Sequence, residues 1–328
     1  MTAAVAASGS SADGSLTRHL HLERAVMLGP ILNLSRRGAG DPTHRRVAPD
    51  LWLRATRTPM GPVLLKLLVA QGTVSAKAWG EGSEWALEHL PRLVGETDDV
   101  ASFEPQAHHR PLVDAHRRYA GLRVGRTDAV FEALAPACIE QVVTGKEAFR
   151  AWRLLVREYG ELAPGPTADP ASPAYGMRLP PTPQVWARVP SWRFLAAGVE
   201  QRRSRTLVNA APRAAALERT LKSDLSAANT ALRSLPGIGQ WTSAEVRQRA
   251  HGDPDAWSIG DYHVGRNISY ALTGEALDDD ACEELLEPYR GHRFRVQQLL
   301  GMTGLGHPRY GPRMTLPTHT PYATGGKS

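Results

Sequence analysis

LRSLPGIGQWTSAEV, residues Leu232 to Val246, sets two glycines one residue apart between apolar runs, with a tryptophan directly behind them. Upstream, Leu225, Ala228, Leu232 and Leu235 recur at three and four, the period of one helix face. Downstream, QWTSAEVRQRAHG reads as a second helix that Gly252 closes as a C′ residue. PGIG is then the tight link of a helical hairpin. In that link Gly237 and Gly239 are expected to take positive φ and, lacking Cβ, to let another backbone come close. Amides that open the second helix have no partner within it and point outward at the positive end of its dipole, a setting that suits a phosphate. The competing reading of the same residues is an ordinary αα-hairpin with a glycine turn.

A second element follows in GDPDAWSIGDYHVGRNI, residues 252–268. A Gly/Pro/Asp-rich turn leads to Asp261, which immediately precedes the helix-like run HVGRNISYAL. By itself Asp261 reads as an N-cap. Trp241 and Asp261 stand 20 positions apart, which gives the pair its interest.

Around this centre the chain divides by texture. Residues 1–15 are small and polar and 306–328 are Pro/Gly/Thr-rich, so both ends are expected to be disordered. From 16 to 110 the pattern favours strands: HLERAVMLGPI, LWLRATRT, PVLLKLLVA and TVSAKAW, with RTPMGP as a hairpin and SEWALEHLPRLVG as a short helix. From 111 to 305 it is helical. DAVFEALAPACIEQVV, with Asp128 as N-cap, and KEAFRAWRLLVREYG read as an antiparallel pair. The stretch 161–183 is too Pro-rich for regular structure and reads as a long surface loop; short helices then follow. The expected fold is mainly α with an N-terminal antiparallel β subdomain.

Composition narrows the chemistry. Only two cysteines occur, Cys138 and Cys282, far apart and in helical contexts, so a disulfide framework, a Cys-rich zinc site and an iron–sulfur cluster are excluded. No run approaches 18 apolar residues and the N-terminus does not resemble a secretory signal, so a cytosolic location is expected. A net charge of +6 is compatible with a polyanionic partner; the arginine bias, with only five lysines, can equally reflect base composition.

LPGIGQWTSAEV followed at this interval by SIGDYHV resembles the helix-hairpin-helix–GPD superfamily of DNA glycosylases, and most closely its 3-methyladenine DNA glycosylase II branch. LLEPYRGHRFRVQQLL, residues 285–300, is similar to that branch's C-terminal helix. The resemblance implies double-stranded DNA with damaged bases as partner, hydrolysis of the N-glycosidic bond of a flipped alkylated purine, and a monomer. It gives Asp261 the catalytic place, where a carboxylate stabilises charge developing on the sugar, and this is compatible with capping because one oxygen can serve each role. It makes Trp241 the stacking platform of the base pocket, and a cationic base adds a cation–π contact of about 0.5–2 kcal/mol. Lyases of the superfamily carry a lysine where Trp241 stands, so the chain reads as a monofunctional hydrolase.

The same resemblance assigns DNA contacts to Gly237, Ile238, Gly239 and Thr242 of the hairpin, and a gap-filling role to Gln141 or Val142. His263, Arg266 and Arg293 are candidate phosphate contacts on charge grounds, with solvated surface groups as the plain alternative. It implies no organic cofactor; a structural monovalent cation would sit on the main-chain oxygens of Arg233, Leu235 and Ile238. Two positions depart from the pattern: Glu245 and Gln298 stand where the branch supplies pocket aromatics, so the pocket is expected to be more polar and the substrate open. The alternative of another class is a non-catalytic protein that uses the hairpin to bind damaged or distorted DNA.

Overall fold

The computed structural model describes residues 5–10 and 13–308. Six strands, β1 (Val5–Ser10), β2 (Leu16–His21), β3 (His44–Ala48), β4 (Leu51–Thr58), β5 (Gly61–Ala70) and β6 (Thr73–Trp79), form one antiparallel sheet in the order β1-β2-β6-β5-β4-β3. The hairpin at RTPMGP is present, with Thr58 opposite Gly61. Two sequence expectations fail in this region. Residues 5–10, assigned to a disordered terminus, form β1 and pair with β2. HLERAVMLGPI is not one strand: β2 ends at His21, and α1 (Leu28–Ser35) begins within the same run. Its Leu28 and Leu32 pack on the sheet, where a helix can cover a face that another strand cannot. The expected tail 306–328 lies, from 309 onward, outside the described residues.

The period-two alternation of β4, β5 and β6 sends side chains to two faces, and both are buried. Trp52, Val63, Leu65, Leu67, Val74 and Ala76 face α1, α2 (Ser83–Glu88) and α3 (Leu90–Leu93). Leu53, Ala55, Leu64 and Trp79 face Ala163, Ala174, Met177 and Leu179. The Pro-rich stretch 161–183 is therefore only partly a surface loop. Its apolar residues close the second face of the sheet, which would otherwise lie open to water.

The helices run α4 (Arg110–Arg118), α5 (Val130–Glu140), α6 (Gly145–Tyr159), α7 (Pro183–Trp186), α8 (Ser191–Ala197), α9 (Gln201–Ala210), α10 (Ala214–Glu218), α11 (Leu225–Arg233), α12 (Gln240–Val246), α13 (Val264–Thr273), α14 (Asp279–Leu286) and α15 (Arg293–Thr303). They pack around two centres. One gathers Val130, Leu134, Cys138 and Ile139 of α5 with Trp152, Trp186, Phe194, Leu207, Leu232 and Val246. The other joins Leu112 of α4 to Trp257, Ile268, Leu286, Val296 and Leu299. α12 runs on as a π-helical turn, Arg247–His251, that Gly252 ends in the left-handed region at φ +66°, as the sequence suggested. The segment after Gly252 thus carries the chain from the first helical core into the second.

Asp128 is not the N-cap of α5. It has φ +51° and its carboxylate lies between Arg92 (3.2 Å) and Arg126. The opening amides of α5, on Val130 and Phe131, donate instead to the Glu218 carboxylate at 2.9 and 2.8 Å. A remote cap of this kind satisfies the same orphan donors but leaves no local sequence signature. α6 has the local version, a Thr144–Glu147 capping box.

A polar seam joins sheet to helices. Arg54 and Thr56 donate to Glu132 of α5 at 2.9 and 2.5 Å, Arg37 pairs with Glu140, and Trp152 donates to Asp41 at 3.3 Å. His44 lies in this seam, with burial pushing its imidazole down to about 4 against the opposing pull of Asp41. His251, beside Thr220 at 3.0 Å, is likewise pushed down to about 4 by burial and by Arg126 and Arg247. Both rings are neutral in the fold, while the unfolded chain protonates them near 6.5, so the unfolded state binds more protons as the pH falls between these values. Stability should therefore fall from pH 6.5 toward 4, each histidine contributing up to about 1.4 kcal/mol per pH unit. In denaturant titrations across this range, a His44→Gln/His251→Gln variant should show a shallower slope than the wild type; an unchanged slope refutes the assignment.

Candidate functional site

The hairpin forms from α11 and α12. Asp224 caps α11 by accepting the Ala227 amide at 2.8 Å, and Ser243 of α12 donates to Asn229 of α11 at 2.8 Å. The two glycines have different reasons to be bare. Gly237 takes φ +86°, and a Cβ there would stand 2.2 Å from the Thr206 hydroxyl of α9, so its missing side chain makes room for protein. Gly239 does not take positive φ: it is extended at the N-cap of α12, and a Cβ there would meet nothing within 4 Å. Open space at the mouth of the turn lies at the second glycine only.

Ile238 and Thr242 are buried, so of these two only main-chain atoms are offered to a surface partner. The Leu235 carbonyl accepts the Ile238 amide at 3.1 Å and closes the turn. Among the described residues the Arg233 and Ile238 carbonyls accept no hydrogen bond. Of the three oxygens expected for a cation, those of Arg233 and Ile238 are thus without a protein partner, and that of Leu235 is engaged in the turn.

The turn from α5 to α6 meets the hairpin. Gln141 donates from Nε2 to the Gly237 carbonyl and to the Thr242 hydroxyl, both at 2.9 Å, so its side chain is a strut. Val142, next to it, is 99% exposed and sits at φ +52°. A β-branched apolar residue in the left-handed region is strained by about 1–3 kcal/mol, and here it is held proud of the surface by the strut behind it.

Asp261 stands at the joint between the two helical cores. Its Oδ1 accepts the His263 and Val264 amides at 2.9 and 3.1 Å, which ties it to the entry of α13, although the N-cap position itself is His263 and not Asp261. Its Oδ2 accepts no hydrogen bond among the described residues. The preceding residue, Gly260, has φ +84°, donates to Asp279 at 3.0 Å, and lies against Trp241, whose Cβ would be 3.9 Å from a Cβ added there. The fold thus brings together two residues 20 positions apart, with Trp241 half-buried on one side of the loop and Asp261 at its end.

The remaining candidates divide. Arg266 has no carboxylate partner among the described residues and lies over the Tyr262 ring at 5.1 Å, and the exposed His263 ring meets the edge of Tyr262 at 4.8 Å. Tyr262 was missed: it is 73% exposed directly beside Asp261, and the only signal was adjacency to that residue. Arg293 is not free for phosphate, because it grips Asp255 through two bonds of 2.8 and 2.5 Å and reaches Glu283 at 3.3 Å. Glu245 is 7% exposed, pairs with Arg249 at 2.7 Å and accepts the Ser258 hydroxyl at 2.7 Å. Its neighbour Glu140 has its carboxyl pushed up by burial, against the pull of Arg37 and Arg249. The Gln298 Oε1 is buried without a hydrogen-bond partner among the described residues. A cavity of about 980 Å3 opens elsewhere, between sheet and helices, and none of Asp261, Trp241, Glu245 or Gln298 lines it. No group of three or more His, Cys, Asp and Glu that could hold a metal occurs among the described residues, and no helix there is long and apolar enough to cross a membrane.

No protein-family model matches the chain, and the comparison with curated proteins gives no significant match. Solved structures do match. A 3-methyladenine DNA glycosylase from Archaeoglobus fulgidus superposes with a TM-score of 0.67 at 19% identity, over 86% of this chain and 96% of that one. An 8-oxoguanine glycosylase/lyase from Clostridium acetobutylicum in its apo form superposes with a TM-score of 0.66 at 12% identity, over 90% and 98%. The α+β fold, with its helical hairpin, is the one these structures share.

The glycine geometry predicts a contrast. Gly237→Ala should destabilise the protein by about 1–3 kcal/mol, from strain at positive φ and the clash with Thr206. Gly239→Ala should cost less, about 0.5–1 kcal/mol, because alanine is a poorer N-cap than glycine but meets no clash there. Thermal denaturation of the two variants measures the difference, and equal losses contradict the geometry.

Proposed function

We propose that this chain, which has the fold of the helix-hairpin-helix–GPD DNA glycosylases, is a monofunctional DNA glycosylase acting on damaged purines in duplex DNA. The observation that carries the reading is Asp261: one oxygen is fixed by two amides and the other is left without a protein partner, on a loop packed against Trp241.

In the reaction the bond from the sugar C1′ to the base nitrogen breaks, and its electron pair leaves with the base. Positive charge develops on the sugar ring, where the free oxygen of Asp261 stabilises it; a water oxygen then bonds to C1′ and passes its proton to the Asp261 carboxylate, which releases it to solvent. Trp241 offers a face for the flipped base to stack on, worth about 1–3 kcal/mol. Val142 fills the gap left in the duplex, and its fixed, exposed position favours it over Gln141. Gly239 leaves room for a phosphate at the hairpin, Arg266 and His263 are near enough to the Asp261 loop to meet the backbone, and a monovalent cation on the Arg233, Leu235 and Ile238 oxygens would add positive charge there. Such an enzyme works on cytoplasmic, nucleoid-associated DNA as a monomer.

Tryptophan at position 241 lacks the amine that a Schiff base requires, which favours hydrolysis over strand cleavage although the 8-oxoguanine neighbour is a glycosylase/lyase. The unpartnered Gln298 Oε1 favours a base that presents an N–H, such as hypoxanthine, alongside the alkylated purines 3-methyladenine and 7-methylguanine.

Base release from duplexes carrying each of these lesions, compared with Asp261→Asn, tests the reading. Asp261→Asn should lose about 100- to 1000-fold in turnover while its DNA affinity stays within about threefold. Wild type that binds the duplex and releases none of the bases would leave the non-catalytic alternative standing. Borohydride should trap no covalent adduct. In a salt series, Arg266→Ala should lower the dependence of log affinity on log salt by about one; an unchanged slope removes Arg266 from the DNA interface.

A further inference from the structure

The cavity of about 980 Å3 lies between the sheet and the helical core, at the N-terminal end of α5, where Ala129, Phe131, Glu132 and Ala135 line it. The hairpin and Asp261 belong to the other end: Gln141, at the C-cap of α5, touches the hairpin, and a helical rise of about 9 Å separates it from Ala135, the last residue of α5 to line the cavity. The cavity is therefore distinct from the glycosylase site. Its volume is at the upper end of the range in which small molecules are enclosed.

The wall has two chemistries. Its floor is aromatic, with Phe131, Trp152 and Trp186 buried and the two indoles stacked at 6.2 Å. Nearer the mouth, the half-buried Trp85 lies flat on His89, with centroids 3.7 Å apart and planes 12° from parallel. The charged part carries a positive surplus. Each lining carboxylate has partners: Asp128 has Arg92 and Arg126, Glu132 has Arg54 and Thr56, and Glu218 accepts two main-chain amides. Two lining cations, Arg219 and Lys222, have no carboxylate partner among the described residues, and both follow Glu218 on one short turn. The chain's own C-terminus does not complement them, since residues 309–328 hold Arg309, Arg313 and Lys327 but no Asp or Glu.

We propose that this cavity is a second ligand site, for a small anion that carries a planar ring, of the class of nucleoside monophosphates. The ring enters against Trp85 and the aromatic floor, while Arg219 and Lys222 meet the phosphate.

Calorimetric titration of the full-length protein with adenosine 5′-monophosphate, adenosine and inorganic phosphate tests the site. The monophosphate should bind one to one, and adenosine or phosphate alone, each with half of the recognised chemistry, at least about tenfold more weakly. Arg219→Ala/Lys222→Ala, which removes only exposed side chains, should weaken the monophosphate by about tenfold or more, and Trp85→Ala should do the same. Asp261→Asn and Trp241→Ala should bind it as the wild type does. Three results overturn the proposal: no saturable heat at millimolar monophosphate, affinity unchanged in the Arg219/Lys222 variant, or binding lost in Trp241→Ala, which would move the ligand to the base site.

Discussion

Burial of α5 on all sides is the constraint on which the rest of the molecule depends. Every residue from Val130 to Ile139 except Glu132 is buried, and a helix with no solvated stripe is stable only when other elements surround it. The sheet reaches it through Arg54 and Thr56 on Glu132, α10 caps its first amides through Glu218, and the hairpin closes on its last turn through Gln141. The proposed DNA-facing parts and the cavity are thus opposite ends of one rigid rod.

The seam between sheet and helices is charged rather than apolar. Arg37–Glu140 and Arg54–Glu132 take ions out of water, and such pairs add little net stability because desolvation offsets their attraction. Losing one partner is another matter, since it leaves a buried charge alone. The seam therefore fixes how the two layers meet more than how strongly they adhere.

Much of this architecture was legible. β4 to β6 alternate with period two and are joined by short turns, and the helix pair either side of Thr144 carries its own capping box; local rules decide such elements. The Trp241–Asp261 pairing was legible through spacing and resemblance together. What escaped was nonlocal. α1 hid inside a strand-like apolar run because the choice depends on the sheet face above it. Asp128 looked like a cap because Glu218, 90 positions later, was invisible as the true one. The engagement of Arg293 by Asp255 is equally remote, but Arg249 stands four residues after Glu245, and that i, i+4 pair could have been read as the partner that keeps Glu245 from acting as a free pocket carboxylate.

In the role proposed for it, Val142 sets folding against use. Its left-handed backbone is one that glycine or asparagine adopts more readily, so the residue best suited to the resting protein differs from one suited to wedging apart a duplex. Selection for thermal stability alone would drift this position toward glycine, and a stabilised variant found that way would be the one in which the proposed wedge is missing.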